Sequence, residues 1–444
     1  MTQPDQPTGA DSLEAISSCI AGYDPNALSI DAAREFIARL VPRMDSVEER
    51  AVEMLALLSA LGRTLARDIV STIDVPPHDN SAMDGYALRG LDIATDGPTT
   101  LQQIGRGLAG HGFEGFVAAG QCVRIMTGAV MPAGLDTVVP QELTSVAGDV
   151  VPIPEGVLRA GDNRRLAGED LARGEVALQA GRVLRPADLG LLASLGQAEV
   201  PVRRRLRVAY FSTGSELRSI GEPLDAGCVY DSNRYTLWAM LQRLGVDALD
   251  LGVVRDDPAA LEAAFRSAAS NADAVITSGG VSVGEADHTK AVMASLGDVL
   301  FWRIAMRPGR PMAIGRIAAD GAGAGTGAIL FGLPGNPVAV MVTFYALVRD
   351  ALLAMGGATA EPLPMLRASS IEGIRKKPGR TEYQRGIVSR SGNTGDWQVR
   401  ITGAQGSGIL RSMSEANGLV VLHHEQGNVE PGEAVDVLPF DGLV

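Results

Sequence analysis

The sequence predicts a multidomain α/β protein: a mostly parallel sheet, a β-rich lid inserted ahead of it, and a β domain at the C-terminal end. Three observations lead there. Between Leu206 and Phe331, apolar runs of strand length alternate with helical patterns, the mark of βαβ units whose right-handed crossovers set neighbouring strands parallel. From about Leu101 to Ile153, and again from Pro362 onward, short alternating stretches are punctuated by Gly and Pro, as in small all-β domains. With 444 residues and 46% hydrophobic content, the chain can bury more than one core.

Residues 1–15 are read as a disordered tail, being polar and bearing Pro and Gly. Residues 30–40 and 47–65 carry apolar residues at helical spacing and are predicted as helices, the second opened by a capping box of Ser46 and Glu49. Residues 69–75 read as extended chain, stopped by Pro76-Pro77. Lid strands follow at 123–126, 137–141 and 150–153. Residues 186–196 form a helix with Pro near its start and Gly at its end, and they return to the first domain, which makes the lid an insertion. The series then runs strand 206–211, helix 235–244, strand 246–254, helix 258–269 and strand 274–277, with strands 312–315 and 328–331 joined by a glycine-rich turn at 321–327. Residues 398–401 and 418–422 are strands of the last domain. The expected division is 16–75 with 158–202, lid 76–157, α/β domain 203–361 and β domain 362–444.

Composition narrows the function. With 39 Lys+Arg against 52 Asp+Glu the formal charge is −13, which argues against nucleic-acid or anionic-membrane binding, since both need a basic face. The three cysteines, Cys19, Cys122 and Cys228, form no CxxC pair and have no His at zinc spacing. A reducing, cytoplasmic setting is expected. No basic region precedes an apolar segment at the start, and no eighteen-residue apolar run occurs.

The chemistry gathers on loops. Thr277-Ser-Gly-Gly-Val-Ser-Val-Gly-Glu-Ala-Asp287 and Phe331-Gly-Leu-Pro-Gly-Asn-Pro337 each follow or end a strand pattern, and glycine lets successive N–H groups converge on phosphate-like oxygens. Phe211-Ser-Thr-Gly-Ser-Glu216 and Arg255-Asp-Asp-Pro258 follow two further strands, so four loops are expected at the carboxyl edge of the sheet. Glu216, Asp256 and Asp287 then become neighbouring carboxylates suited to Mg²⁺ or to proton transfer. Asp256 has a second reading, as the cap of the helix starting at Pro258, and both stand. Arg303, Arg307 and Arg310 can hold tetrahedral oxyanions bidentately or serve as exposed partners of acids. The five histidines show no metal-site spacing, and Trp302 is read as packing.

Pro76-Pro-His-Asp-Asn-Ser-Ala-Met-Asp-Gly-Tyr-Ala87, Met126-Thr-Gly-Ala, Val138-Val-Pro-Gln-Glu142, Gly168-Glu-Asp170, Thr213-Gly-Ser-Glu-Leu, Tyr230-Asp-Ser-Asn-Arg234, both glycine stretches and Arg380-Thr-Glu-Tyr-Gln-Arg-Gly386 occur in order. From about Ile30 to the C-terminus the chain resembles the MoeA family of molybdopterin molybdenumtransferases, related to the E domain of gephyrin. The resemblance implies an elongated four-domain protomer with a MogA-like sheet domain, paired head to tail as a homodimer whose cleft lies between the sheet domain of one subunit and the lid of the other. It implies insertion of molybdate into molybdopterin, with adenylylated molybdopterin as substrate, AMP as product and Mg²⁺ as cofactor. It places catalytic roles on Asp84, Thr127, Asp170, Glu216, Asp256 and Asp287, with Glu216, Asp256 and Asp287 as metal ligands. Substrate contacts are expected from Ser81, Thr213, Gly214, Ser215, Ser278, Gly279, Gly280, Ser282, Gly284, Arg303, Arg307, Pro308, Gly309, Arg310, Pro334, Gly335, Asn336 and Pro337. Asp84 is assigned to pyrophosphate cleavage, by positioning Mg²⁺ or a water. Partners by resemblance are a MogA-like adenylyltransferase and recipient molybdoenzymes.

The chain departs from the family pattern where lysines are common, at Arg303, Arg307 and Arg310, at Ser215, where Asp is frequent, and at His288, where Tyr is usual. Arginine keeps the charge but gives up proton donation near neutral pH. Rival readings are a gephyrin-like scaffold, a tungstate-inserting paralogue, and an unrelated phosphate-binding sugar or nucleotide enzyme. The scaffold lineage carries a fused second domain and long linker that this sequence does not show. The last rival would carry a P-loop or dinucleotide fingerprint, and neither motif is present.

Overall fold

The computed structural model describes residues 12–41, 52–281, 288–319, 327–392 and 394–440. The chain divides into two compact units, one holding residues 54–61 and 65–202, the other the remainder.

Two helices open the larger unit, α1 (Leu13–Ser18) and α2 (Ile30–Leu40), capped by Ser12 and Ser29. The buried face of α2, Ile30, Ala33, Phe36, Ile37 and Leu40, recurs every three to four residues, as an amphipathic helix requires. Phe36 meets the ring of Trp302 edge-on at 4.9 Å, and the Trp302 indole N–H donates to the Tyr23 hydroxyl at 2.9 Å. Trp302 is a packing residue with a satisfied donor, as read.

The smaller unit contains a five-stranded sheet of β1 (Gly85–Leu88), β2 (Thr99–Gly107), β3 (Gln121–Ile125), β4 (Thr137–Pro140) and β5 (Val150–Ile153), in the order β4-β1-β3-β2-β5. Alternate residues separate its faces: Leu88, Cys122, Val139 and Val151 bury into one cluster, and Ala87, Val123, Ile125 and Val138 into another. The remainder of this unit has its own small core around helix α3 (Pro186–Ser194), including Leu192, Leu195, Val200 and Val202.

Residues 52–65 differ from the predicted helix. The chain is a strand at Val52–Ala56, a single 3₁₀ turn at Leu57–Ser59, and then loop. Gly62 sits at φ +72°, a conformation no α-helix accommodates, and the Leu57 N–H bonds to Ala198 O at 2.9 Å instead of to its own turn. The apolar spacing there suits helix and strand alike, and a distant cross-chain partner decided between them. The expected capping box at Ser46 and Glu49, the tail up to residue 11 and most of the 321–327 turn lie outside the described residues.

The larger unit is organised by a six-stranded sheet, β6 (Arg207–Thr213), β7 (Asp247–Val254), β8 (Ala274–Ser278), β9 (Gly297–Arg303), β10 (Pro311–Ala318) and β11 (Gly327–Leu333), in the order β7-β6-β8-β11-β10-β9. The first four in that order are parallel, while β10 and β9 complete the edge antiparallel. Both faces of the central strands β6, β8 and β11 are covered, which is why these three read as nearly unbroken apolar runs. Val208 and Tyr210 point into a core with helix α4 (Ser232–Arg243), whereas Ala209 and Phe211 point to α5 (Pro258–Asn271) and α6 (His288–Leu296) on the other side. The helix over Pro337–Met355 is apolar and long enough to cross a membrane, yet its most apolar stretch is 67% buried within the protein, so it is a core helix.

The last domain closes on itself. Strands β12 (Leu366–Ser370), β13 (Thr381–Arg390), β14 (Trp397–Ile401), β15 (Gly418–Leu422) and β16 (Ala434–Pro439) run in the order β13-β14-β12-β16-β15, and β15 pairs back onto β13. Closure leaves none of the five with an unpaired edge, and Val399, Val420, Leu422, Val435 and Val437 fill the interior.

Candidate active site

A cleft of about 1280 Å³ lies at the carboxyl edge of the four parallel strands, where the residues that follow each strand form its walls. Thr213 ends β6 and Gly214 and Glu216 follow it, Asp256 follows β7, Ser278 ends β8 and Gly279 and Gly280 follow it, and Pro334, Gly335, Asn336 and Pro337 follow β11. The antiparallel edge adds Arg307, Pro308, Gly309 and Arg310. The close approach of these loops demands glycine: Gly279 has φ +96°, and a Cβ there would sit 2.5 Å from Thr213 O. Gly214 is less constrained, because the Cβ would fall 2.7 Å from the exposed Glu216 carboxylate, a flexible side-chain end that can move aside.

Two hydrogen bonds from the buried Asn233 lock the glycine loops together. Asn233 Nδ2 donates to Ser278 Oγ at 2.9 Å and to Gly335 O at 2.7 Å, tying the loop after β8 to the Leu-Pro-Gly-Asn-Pro turn through the first turn of α4. The last domain supplies a further wall, with Arg380, Gln405, Gly406, Ser407 and Gly408. Arg385, 1% exposed, holds that loop by donating from Nε to Ser412 Oγ at 2.9 Å and from its terminal nitrogen to Gly406 O at 3.0 Å. Burial, together with the nearby Arg307 charge, pushes the Arg385 guanidinium down to about 10, so it stays protonated at neutral pH.

The electrostatics suit an anion with a polar periphery. Arg307 and Arg310 form no ion pair with any described residue, whereas Arg380 is engaged by Glu382 at 2.7 Å. The N-termini of α4 and of the helix beginning at Pro337 border the cleft and add partial positive charge. Of the carboxylates, Glu216 is exposed, and Asp256 is half-buried with Oδ1 lacking any partner. The cap of α5 is Asp257, not Asp256: Asp257 accepts from the Ala260 N–H at 3.0 Å. Pro258 occupies the first helical position, which places the capping oxygen one residue nearer than Asp256.

Two expected contacts fall elsewhere. Arg303 ends β9 as an exposed side chain off the cleft wall, its N–H bonded to Pro25 O at 2.7 Å. Ser215 is exposed and does not line the cleft. Ser282, Gly284 and Asp287 lie outside the described residues. Asp231, Asn233, Arg380 and Gln405–Gly408 join the cleft without having been singled out. The stretches Tyr230–Arg234 and Arg380–Gly386 carry the family resemblance, but nothing in their residue types announces a pocket.

The smaller unit holds a second constellation. Asp84 and Thr127, some forty positions apart, meet: the Thr127 N–H and hydroxyl both donate to Asp84 Oδ1, each at 2.7 Å. Those two donors, the backbone one first, hold the Asp84 carboxyl below the usual carboxylate range, and Arg124 adds to the effect. Ser81 lies beneath this turn, fully buried, its hydroxyl donating to Met83 O, so it shapes the turn and does not face outward. Asp170 is exposed on a segment running beside residues 75–81, where its N–H donates to Val75 O at 3.0 Å and the Gly168 N–H to Pro76 O at 3.0 Å.

Residues 28–196 match the family profile described as the MoeA N-terminal region (domain I and II), residues 209–354 a probable molybdopterin binding domain, and residues 367–440 the MoeA C-terminal region (domain IV). The chain is 41% identical over 418 residues to a molybdopterin molybdenumtransferase of Haemophilus influenzae, covering 94% of this chain and 100% of that protein. It is 36% identical to one from Nostoc, covering 94% of each. Among solved structures, the molybdopterin biosynthesis moeA protein of Pyrococcus horikoshii superposes with a TM-score of 0.76 at 28% identity, covering 93% of this chain and 99% of that one. The likeness runs through both units and every domain just described, so this chain belongs to the MoeA family of molybdopterin molybdenumtransferases.

Proposed function

We propose that the chain is a transferase of molybdenum cofactor biosynthesis that inserts molybdate into adenylylated molybdopterin and releases AMP. The observation that carries this reading is the cleft of the sheet domain. Arg307 and Arg310, free of described ion partners, stand beside backbone N–H groups of two glycine loops and two helix N-termini. Molybdopterin offers a phosphate, its adenylylated form a pyrophosphate, and molybdate is a tetrahedral dianion, so each presents oxygens to such donors. The cleft volume of about 1280 Å³ exceeds that of an ordinary small-ligand pocket, as a substrate with pterin, pyrophosphate and adenosine parts needs.

Mg²⁺ fits this site as a partner of the substrate. Among the described residues, no three His, Cys, Asp or Glu side chains gather to form a protein cage. Mg²⁺ is commonly held by one or two carboxylates, with water and substrate phosphates completing the shell. Asp256, whose buried Oδ1 has no partner, and Glu216 are the residues that would hold it, with Asp287 as the expected third. When bound, it neutralises charge on the pyrophosphate. Asp84, held ionised by Thr127, is assigned to pyrophosphate cleavage, by positioning Mg²⁺ or a water, and Asp170 is assigned a catalytic role by the family resemblance.

The protein is further read as a cytoplasmic homodimer, the location resting on three unpaired cysteines and the pairing on the family resemblance. The test of the activity is incubation of the purified chain with adenylylated molybdopterin, molybdate and Mg²⁺. AMP should appear, and an added apo-molybdoenzyme should gain activity. If neither happens, the transferase reading falls.

A further inference from the structure

We infer that Asp231 and Asn233 read the N–H donor edge of the pterin ring, an inference that rests on the transferase reading above. Both residues line the cleft and both are more than nine-tenths buried, at 2% and 6% exposure. Asp231 caps α4: its Oδ1 accepts from the Arg234 N–H at 3.1 Å, and its Oδ2 is buried without a partner. Asn233 commits its amide nitrogen to Ser278 Oγ and Gly335 O. A main-chain carbonyl can only accept, so Gly335 fixes which way the amide faces and leaves Oδ1 as a second buried acceptor without a partner. Buried acceptors are nearly always paired, by water or a ligand where the protein supplies no donor, and these two, two residues apart on one cleft wall, form a place where a ligand's donors can dock.

The chemistry of those donors can be specified. Phosphate and molybdate oxygens are acceptors and gain nothing from this pair. A cation is disfavoured, because the twelve-residue α4 directs its positive N-terminal end to the same place. Arg234, in the first turn of α4, turns its Nε to both oxygens of Asp250 at 2.9 Å, and no described residue donates to either free acceptor. What remains is a neutral group carrying N–H. The 2-amino-4-oxopyrimidine edge of a pterin presents two adjacent donors, the ring N3–H and the exocyclic amino group, and matches an acceptor pair. The adenine edge places its amino group beside an acceptor nitrogen, which would leave one of the two oxygens unpaired.

Asp231→Asn keeps the helix cap, since Asn caps as well as Asp, and replaces the free oxygen by an amide group. Asp231→Ser also keeps the cap and deletes the second acceptor. Titrations of the full chain with molybdopterin, with AMP and with Mg²⁺, alongside thermal melting, separate the outcomes. Both variants should melt as the parent does and bind molybdopterin about tenfold more weakly, the scale of one lost hydrogen bond to a charged group, with AMP and Mg²⁺ affinities unchanged. Parental molybdopterin affinity in either variant overturns the inference. So does an equal loss of AMP binding, which would assign the pair to adenine, or a loss confined to Mg²⁺, which would assign it to the cation. If the parent chain itself binds no molybdopterin, the transferase reading fails, and this inference with it.

Discussion

Asp84 shows how little local structure is needed to fix a charge. Two donors from a single residue, Thr127, converge on one carboxylate oxygen, so the folded chain binds a proton there more weakly than the unfolded chain does. The stability this adds is present above the unfolded carboxylate value of about 3.9 and is lost as pH falls through the lower folded value. Across the neutral range Asp84 is therefore an anion. Asp84→Asn should lower the rate of AMP release by at least about a hundredfold, the scale of a positioned proton-transfer or water-orienting group, with the melting temperature little changed. Thr127→Ala keeps the backbone donor and loses the hydroxyl, so the acidic limb of the pH–rate profile should move upward. An unmoved limb would show that Asp84 does not set it.

At the scale of elements, neighbouring acids on one loop divide two tasks. Asp257 caps α5 and Asp256 turns to the cleft with an unpaired oxygen. Asp257→Ala should cost about 1 kcal/mol in chemical denaturation and leave turnover intact, while Asp256→Ala should do the reverse. Similar denaturation losses in both would remove the distinction. The loop after β8 is bound to its backbone form in the same way. Gly279→Ala places a Cβ against Thr213 O at positive φ and should destabilise the protein by about 1 to 3 kcal/mol, visible as a lowered melting temperature.

The whole molecule is acidic, with a formal charge of −13, yet it gathers Arg307 and Arg310 at one cleft, so attraction for an anionic substrate is local and screened by salt. Substrate affinity should fall as ionic strength rises, and a salt-independent affinity would speak against binding through these charges. If the chain works as a pair, sedimentation at micromolar concentration should report twice 46.3 kDa, whereas a single 46.3 kDa species would restrict activity to the monomer.

Features whose cause is local were legible along the chain. Continuous apolar runs located the central parallel strands β6, β8 and β11, and period-3.6 patterns located α4, α5 and α3, because burying both faces of a central strand leaves few polar positions to blur the pattern. Strand-end glycines, with Arg307, Arg310, Glu216 and Asp256, marked loops that line the cleft. What the sequence left open depended on partners far along the chain. The stretch at 52–65 had apolar spacing fit for a helix and became strand and turn around Gly62. The capping role read for Asp256 fell to Asp257, one residue on, because Pro258 takes the first helical position. Asn233 and Arg385 look like ordinary polar residues until folding sets them against loops about 100 and 20 positions away, where their hydrogen bonds build the walls of the site. Hydrophobic burial is written in periodicity, which one segment carries alone; a buried polar contact needs two segments at once, and only the tertiary structure brings them together.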